Sequence, residues 1–249
     1  MAVPGKPDYR TLVTRKVIFA LDVHTLEEAR RFVSLLKDRV AFFKVGLELF
    51  TAFGKEAVKA VQEEGGHVFL DLKLHDIPNT VSKSAEEAVK LGVEMFNLHA
   101  TGGLEMMRET ADRCRNLAEN LERPRPMILA VTILTSLDEG NLKEVGLIGP
   151  VPERVVSLAE LAQRAGMDGV VASPQEIIPV RQRCGPKFII VTPGIRPAFT
   201  GAGPDDQKRV MTAKEAITAG ADYIVIGRPI RLASNPVAAM DQVVEEIGN

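Results

Sequence analysis

The chain has 249 residues, 45% hydrophobic and 26% charged, with a formal net charge of −2 at pH 7 and a pI near 6.1. That balance is ordinary for a soluble globular enzyme; it supplies no broad basic footprint for nucleic acid and no attraction to an anionic membrane surface. Cys114 and Cys184 are the only cysteines and lack CxxC spacing, which excludes a thiolate zinc site and fits a reducing, cytoplasmic setting. A chain of this length buries most of its unfolded surface without a disulfide or metal staple. No run of about 18 apolar residues occurs, and Met1–Lys16 is polar, without the apolar core of a signal peptide.

In chain order, short apolar runs alternate with longer amphipathic ones. Strands are predicted at Val17–Leu21, Ala41–Val45, His67–Leu72, Met95–His99, Met127–Ile133, Gly169–Ala172, Phe188–Thr192 and Tyr223–Ile226. Their continuous apolar character is that of strands covered on both faces. Helices are predicted between them, at Leu26–Lys37, Gly54–Glu64, Val81–Leu91, Leu104–Leu121, Pro152–Ala165, Gln175–Arg183, Ala213–Ala219 and Pro236–Ile247. Ala57, Val58 and Val61 lie opposite Lys55, Lys59 and Glu63, a helical rhythm. Thr25 stands at an N-cap position with Glu28 in capping-box register, and Gly92, Gly166 and Gly220 follow helix-like runs. Eight strands each followed by a helix imply parallel pairing with right-handed crossovers. The fold class is α/β: a (β/α)₈ TIM barrel forming one domain over residues 1–249, with 1–15 as an N-terminal extension, and an open doubly wound sheet as the alternative.

Chemistry in such folds sits at the C-terminal ends of strands, and polar residues collect there. They are Asp22 after the first strand, Lys44 in the second, Asp71, Lys73 and Asp76 along and after the third, and His99 at the end of the fourth. Thr132, Thr135 and Ser136 follow the fifth. Residues two apart in a strand share a face, so Asp71 and Lys73 are expected to enter the barrel mouth while Leu72 packs outward. With Lys44 and Asp76 they would form an alternating array of two lysines and two aspartates. Such an array can be a self-neutralising structural network. It can equally hold a lysine protonated as a general acid and place a carboxylate where it disfavours a substrate carboxylate.

Glycines and arginines after the last two strands, in Thr192-Pro193-Gly194-Ile195-Arg196 and Ile226-Gly227-Arg228-Pro229, suit a phosphate, though they can also be simple turns. The loop from Pro197 to Lys208 is long enough to close over a ligand, and Gln207 stands at its far end; an ordinary surface loop is the alternative. His75 and His99 lie near the mouth, but Lys44 facing them is a poor ligand, so a His/Asp metal cage is incomplete. His24 and His67 are read as structural or solvated.

Beyond this physics, several strings resemble the bacterial orotidine 5′-phosphate decarboxylases. They are Phe19-Ala20-Leu21-Asp22, Lys44-Val45-Gly46-Leu47, the ten residues Asp71-Leu72-Lys73-Leu74-His75-Asp76-Ile77-Pro78-Asn79-Thr80, Val191-Thr192-Pro193-Gly194-Ile195-Arg196 and Ile224-Val225-Ile226-Gly227-Arg228-Pro229-Ile230. They occur in that family's order. The resemblance implies decarboxylation of orotidine 5′-phosphate to UMP in pyrimidine biosynthesis with no cofactor and no metal. Lys73 would protonate C6 and Asp71 would sit beside the departing carboxylate. Asp22 and Lys44 would bind ribose hydroxyls, and Thr135 the pyrimidine. Arg196, Gln207, Gly227 and Arg228 would hold the phosphate. Asp76, Ile77 and Thr80 would reach into a partner's site, implying a homodimer. Magnesium-dependent sugar-phosphate relatives share an Asp-x-Lys-x-x-Asp pattern, and a catalytically dead phosphometabolite-binding barrel is a further alternative. Leu74-His75 and Ile77-Pro78-Asn79-Thr80 match the pyrimidine branch.

Overall fold

The computed structural model describes residues 13–200 and 210–248. Eight parallel strands close into a barrel in sequence order. They are β1 (Val17–Ala20), β2 (Phe42–Gly46), β3 (Val68–Leu74), β4 (Met95–His99), β5 (Met127–Val131), β6 (Gly169–Val171), β7 (Ile189–Thr192) and β8 (Tyr223–Ile226). Closure is carried by pairing of β1 with β8, Val17 opposite Ile224 and Phe19 opposite Ile226. The expected strands are all present, displaced by two residues at most at either end. The open-sheet alternative is excluded by that closure.

The helices are α1 (Leu26–Leu36), α2 (Leu47–Phe53), α3 (Lys55–Glu63), α4 (Pro78–Leu91), α5 (Gly103–Asn120), α6 (Glu139–Glu144), α7 (Val151–Arg164), α8 (Ile177–Cys184), α9 (Ala213–Ala219), α10 (Arg228–Arg231) and α11 (Pro236–Gly248). Of these α2, α6 and α10 were not expected; at seven, six and four residues they are too short to show a helical period. Local chemistry starts and stops the longer ones. Thr25 Oγ1 accepts from Glu28 N–H at 3.2 Å to begin α1. Full reciprocal capping boxes open α6 (Asp138 with Asn141) and α9 (Thr212 with Glu215). α4 and α9 end at Gly92 and Gly220, with φ of 72° and 110°, a left-handed turn that a β-carbon resists. No helix among the described residues is long and apolar enough to cross a membrane.

Two apolar layers follow from the strand alternation. One side of each strand packs under the helices, with Phe19, Phe43, Phe96 and Val170 among the fully covered residues. The other side fills the barrel: Ile18, Phe42, Phe69, Met95, Leu129 and Val191 form a plug with Tyr223 and Val225 against it. Gly169 is where the wall is tightest, since a β-carbon there would stand 2.1 Å from the Ile189 carbonyl oxygen.

The N-terminal rim is closed by a repeated device. The carboxylate just before each of β4, β6 and β8 accepts the backbone N–H of a neighbouring strand. Val68 N donates to Glu94 at 2.7 Å, Ile128 N to Asp168 at 2.7 Å and Ile190 N to Asp222 at 2.8 Å. Arg125 grips Asp168 through two bonds, and Arg181 joins Asp222 to the carbonyls of Gly185, Phe188 and Gly220. With that end stapled, the opposite mouth is left for chemistry.

Candidate active site

Above the plug the barrel opens into a cavity of about 350 Å³, lined by Asp22, Lys44, Asp71 and Lys73 from the first three strands and by Pro193, Gly194, Arg196, Gly227, Arg228 and Arg231 from the segments after the last two. Val131, Ile133, Leu134, Thr135, Val171 and Ala172 make a largely apolar wall between them. Such a wall with a few charged groups beside it suits a small, weakly polar ligand that carries charged substituents.

The charged end is a chain of alternating sign. Lys44 Nζ lies 3.3 Å from Asp22 Oδ1 and 3.4 Å from Asp71 Oδ2, and Lys73 Nζ donates to Asp71 Oδ1 at 2.7 Å. Asp71 is buried, and it also accepts from Asn97 Nδ2 at 2.7 Å. Burial pushes the Asp71 carboxyl up, but Lys44 and Lys73 more than reverse this and hold it below the usual carboxylate range. Burial likewise pulls the Lys44 ammonium down, and Asp71 and Asp22 overcome it to leave it above its ordinary value. Gly46 makes room for this ammonium, since a β-carbon there would stand 2.9 Å from Lys44 Nζ.

Two expectations are corrected here. Asp76 does not join the array of its own chain: it is exposed and accepts from the backbone N–H of Ile77 at 2.7 Å. The second carboxylate is Asp22, because the chain leaves β3 at Leu74 and carries Asp76 away from the mouth. The reason Asp71 and Lys73 share the mouth also differs. Lys73 has φ +53°, a left-handed conformation that costs a non-glycine residue on the order of 1–3 kcal/mol. The β3–β4 pairing jumps there from Leu70–Phe96 to Leu74–Leu98. A bulge, and not regular alternation, aims the lysine.

Of the other predicted residues, Thr135, Arg196, Gly227 and Arg228 line the cavity. Gly227 lets strand β8 approach β1, since a β-carbon on it would meet Ala20 Cβ at 3.1 Å. Gly194 turns with φ 80°, and the segment after it is tied down by Arg196 N donating to the Met211 carbonyl at 2.9 Å. Gln207 and the glycines of its loop lie outside the described residues. Ile77 and Thr80 are exposed on the rim with Asp76, away from this cavity. Thr132 is structural, buried and donating to the Val171 carbonyl.

His75 and His99 face each other with ring centroids 5.4 Å apart. Burial lowers the His99 pKa, with the neighbouring His75 and Lys73 adding to the effect. His24 and His67 pair with Glu48 and Glu94, in keeping with a surface role. Among the described residues no group of three or more His, Cys, Asp or Glu side chains is gathered to hold a metal ion.

Sequence reasoning missed two residues. Asn97 is 1% exposed and interrupts the apolar run of β4, which was a readable sign. Arg231 is three residues beyond Arg228 on α10, and its buried Nε has no hydrogen-bond partner among the described residues.

Fold and cavity together define a (β/α)₈-barrel enzyme whose pocket is lined by both a lysine–carboxylate centre and guanidinium groups. The chain belongs to the orotidine 5′-phosphate decarboxylase / HUMPS family, whose sequence pattern matches residues 15–243. It is 58% identical over 233 residues to the orotidine 5′-phosphate decarboxylase of Pelobacter propionicus, covering 94% of this chain and 95% of that protein. The same enzyme of Geobacter sulfurreducens is 53% identical over 238 residues, covering 96% and 98%. Among solved structures, orotidine 5′-phosphate decarboxylase from Lactobacillus acidophilus superposes with a TM-score of 0.81 at 39% identity, covering 94% of this chain and 99% of that one.

The charge chain makes stability pH-dependent with a definite sign. Asp71, depressed in the folded state, contributes stability above its unfolded pKa of about 4, and this is lost as pH falls through the folded value. Lys44, raised, contributes below its unfolded pKa of about 10, and this is lost as pH rises through the folded value. Urea midpoints should therefore be flat through neutral pH and fall toward acid. Asp71→Asn should be less stable at pH 7 by on the order of 3 kcal/mol with a shallower acid decline; an unchanged acid limb would count against this assignment.

Proposed function

We propose that this chain decarboxylates orotidine 5′-phosphate to UMP without a cofactor, as a cytoplasmic homodimer built on one barrel domain. The observation that carries the reading is the ammonium of Lys73 held on Asp71 at the edge of a pocket that Arg196 and Arg228 also line. The phosphate would lie among Arg196, Gly227 and Arg228, where backbone N–H groups at the start of α10 and a guanidinium fork suit a dianion. Gln207 would close on it from the adjoining loop. Thr135 would face the pyrimidine along the apolar wall, and Asp22 and Lys44 would bind the ribose hydroxyls.

That placement sets the substrate carboxylate against Asp71, an anion that its lysines keep charged. As the C6–carboxyl bond breaks, the electron pair stays on C6 and CO₂ departs, so the charge facing Asp71 leaves. The carbanion is stabilised by the adjacent Lys73 ammonium, which then transfers a proton from Nζ to C6 and is left as a neutral amine until solvent reprotonates it. Holding the remote phosphate supplies binding energy that orders the reacting end.

In a single chain Asp76, Ile77 and Thr80 are exposed, Ile77 to 66%. An apolar side chain so placed is accounted for by contact with a second subunit, whose site Asp76 and Thr80 would complete. Mixing Lys73→Ala with Asp76→Ala subunits should then restore activity by pairing one intact site per mixed dimer, and no recovery would count against shared sites.

The direct test follows pyrimidine absorbance after adding orotidine 5′-phosphate in the presence of EDTA. The wild-type protein should turn over with EDTA present, and Lys73→Ala should lose at least about 10³-fold in kcat. Abolition by EDTA would favour the magnesium-dependent sugar-phosphate branch, and an inactive wild type would refute the reading.

A further inference from the structure

Lys73, the proposed proton donor, is one of two described non-glycine residues with positive φ; the other, Glu122, lies far off after α5. A side chain held in this region needs its surroundings to hold it there. The strand ladder does not, because between the Leu70–Phe96 and Leu74–Leu98 pairs three residues of β3 stand opposite one residue of β4. That residue is Asn97. Its Oδ1 accepts the backbone N–H of Lys73 at 2.8 Å, and its Nδ2 donates to Asp71 Oδ1 at 2.7 Å. The same Asp71 oxygen accepts from Lys73 Nζ at 2.7 Å. Backbone amide, carboxamide, carboxylate and ammonium thus form a ring of hydrogen bonds that begins and ends on Lys73.

We propose that Asn97 is a positioning residue for the decarboxylation: its carboxamide stands in for the broken ladder, locks Lys73 in the left-handed conformation and fixes the Asp71 oxygen that orients the ammonium. The proposal rests on the decarboxylase reading above. Few side chains can take the part. The site needs an acceptor and a donor on one short planar group, fully buried. Leucine has the shape and neither function, so it would strand the Lys73 N–H and an Asp71 lone pair. Aspartate offers two acceptors and sets an oxygen against Asp71 where a donor stood, so the pair could not both ionise. Asp71 is faced by Lys44 from β2 with Asp22 behind it, by Lys73 from β3 itself, and by His99 from β4 with His75 beyond. A titration change in a variant arises within this set.

The test compares wild type, Asn97→Leu and Asn97→Asp on orotidine 5′-phosphate, with folded sites counted by titration with a tight-binding nucleotide. Per folded site, kcat should fall on the order of 100-fold in both variants, with KM within about threefold. In Asn97→Asp the acidic limb of the kcat profile should also move up by about one pH unit or more, a change that a packing defect would not produce. Unaltered kcat per folded site, or an unmoved acidic limb, would overturn the proposal. If Asn97→Leu fails to fold, the isosteric Asn97→Asp decides. Wild type gives an independent reading, since the Lys73 amide must exchange slowly with deuterium; exchange at the rate of an open loop would overturn it too. An inactive wild type would refute the decarboxylase reading, whereas an active one beside undisturbed variants refutes only the role of Asn97.

Discussion

Asp71 is a carboxylate taken out of water, and the arrangement of the barrel mouth follows from keeping it charged. An isolated buried carboxylate would take up a proton. Here Lys44, Lys73 and the Asn97 amide donate to or pair with its two oxygens, and Asp22 steadies Lys44 in turn. Each member is tolerable because the next is present, so loss of one leaves a charge uncompensated. The array therefore behaves as one unit.

The same chain carries half-buried ion pairs that are purely structural, and the two kinds differ in what surrounds them. Arg125 with Asp168 and Arg181 with Asp222 lie at the N-terminal rim, and backbone N–H and C=O groups take up their remaining hydrogen-bonding capacity. Among the described residues nothing comparable encloses the mouth. There the ion chain ends on an ammonium that borders an open cavity. A self-neutralising structural network would close on protein; this one stops at the edge of a space the size of a small ligand. The two rims divide the labour expected of a barrel, stability below and chemistry above.

Much of this was legible in the sequence. Continuous Val/Ile/Phe runs marked the eight strands because both faces of each are covered, and glycine and threonine punctuation bounded several helices. Asp71, Lys73, Lys44, Arg196 and Arg228 were found because strand ends are where polar residues are otherwise hard to explain. What was not legible depends on backbone departures from regularity. Spacing alone made Asp76 part of the array, whereas the chain turns out of β3 and carries it to the exposed rim. Spacing also aimed Lys73 correctly for an incomplete reason, since the left-handed turn that aims it leaves no mark in residue type. Asn97 and Arg231 did leave marks, an amide amid apolar neighbours and an arginine one helical turn past another. Their meaning came only with the geometry.

If the mouth is built to favour negative charge at C6 over the neutral product, that preference can be weighed directly. The measurement is the affinity of a UMP analogue bearing a fixed oxyanion at C6, against that of UMP, in the wild-type protein and in Lys73→Ala. The anion should bind at least about 10³-fold more tightly to wild type, with most of the difference gone when the ammonium is removed. Equal affinities in wild type, or a preference that survives Lys73→Ala, would contradict the account.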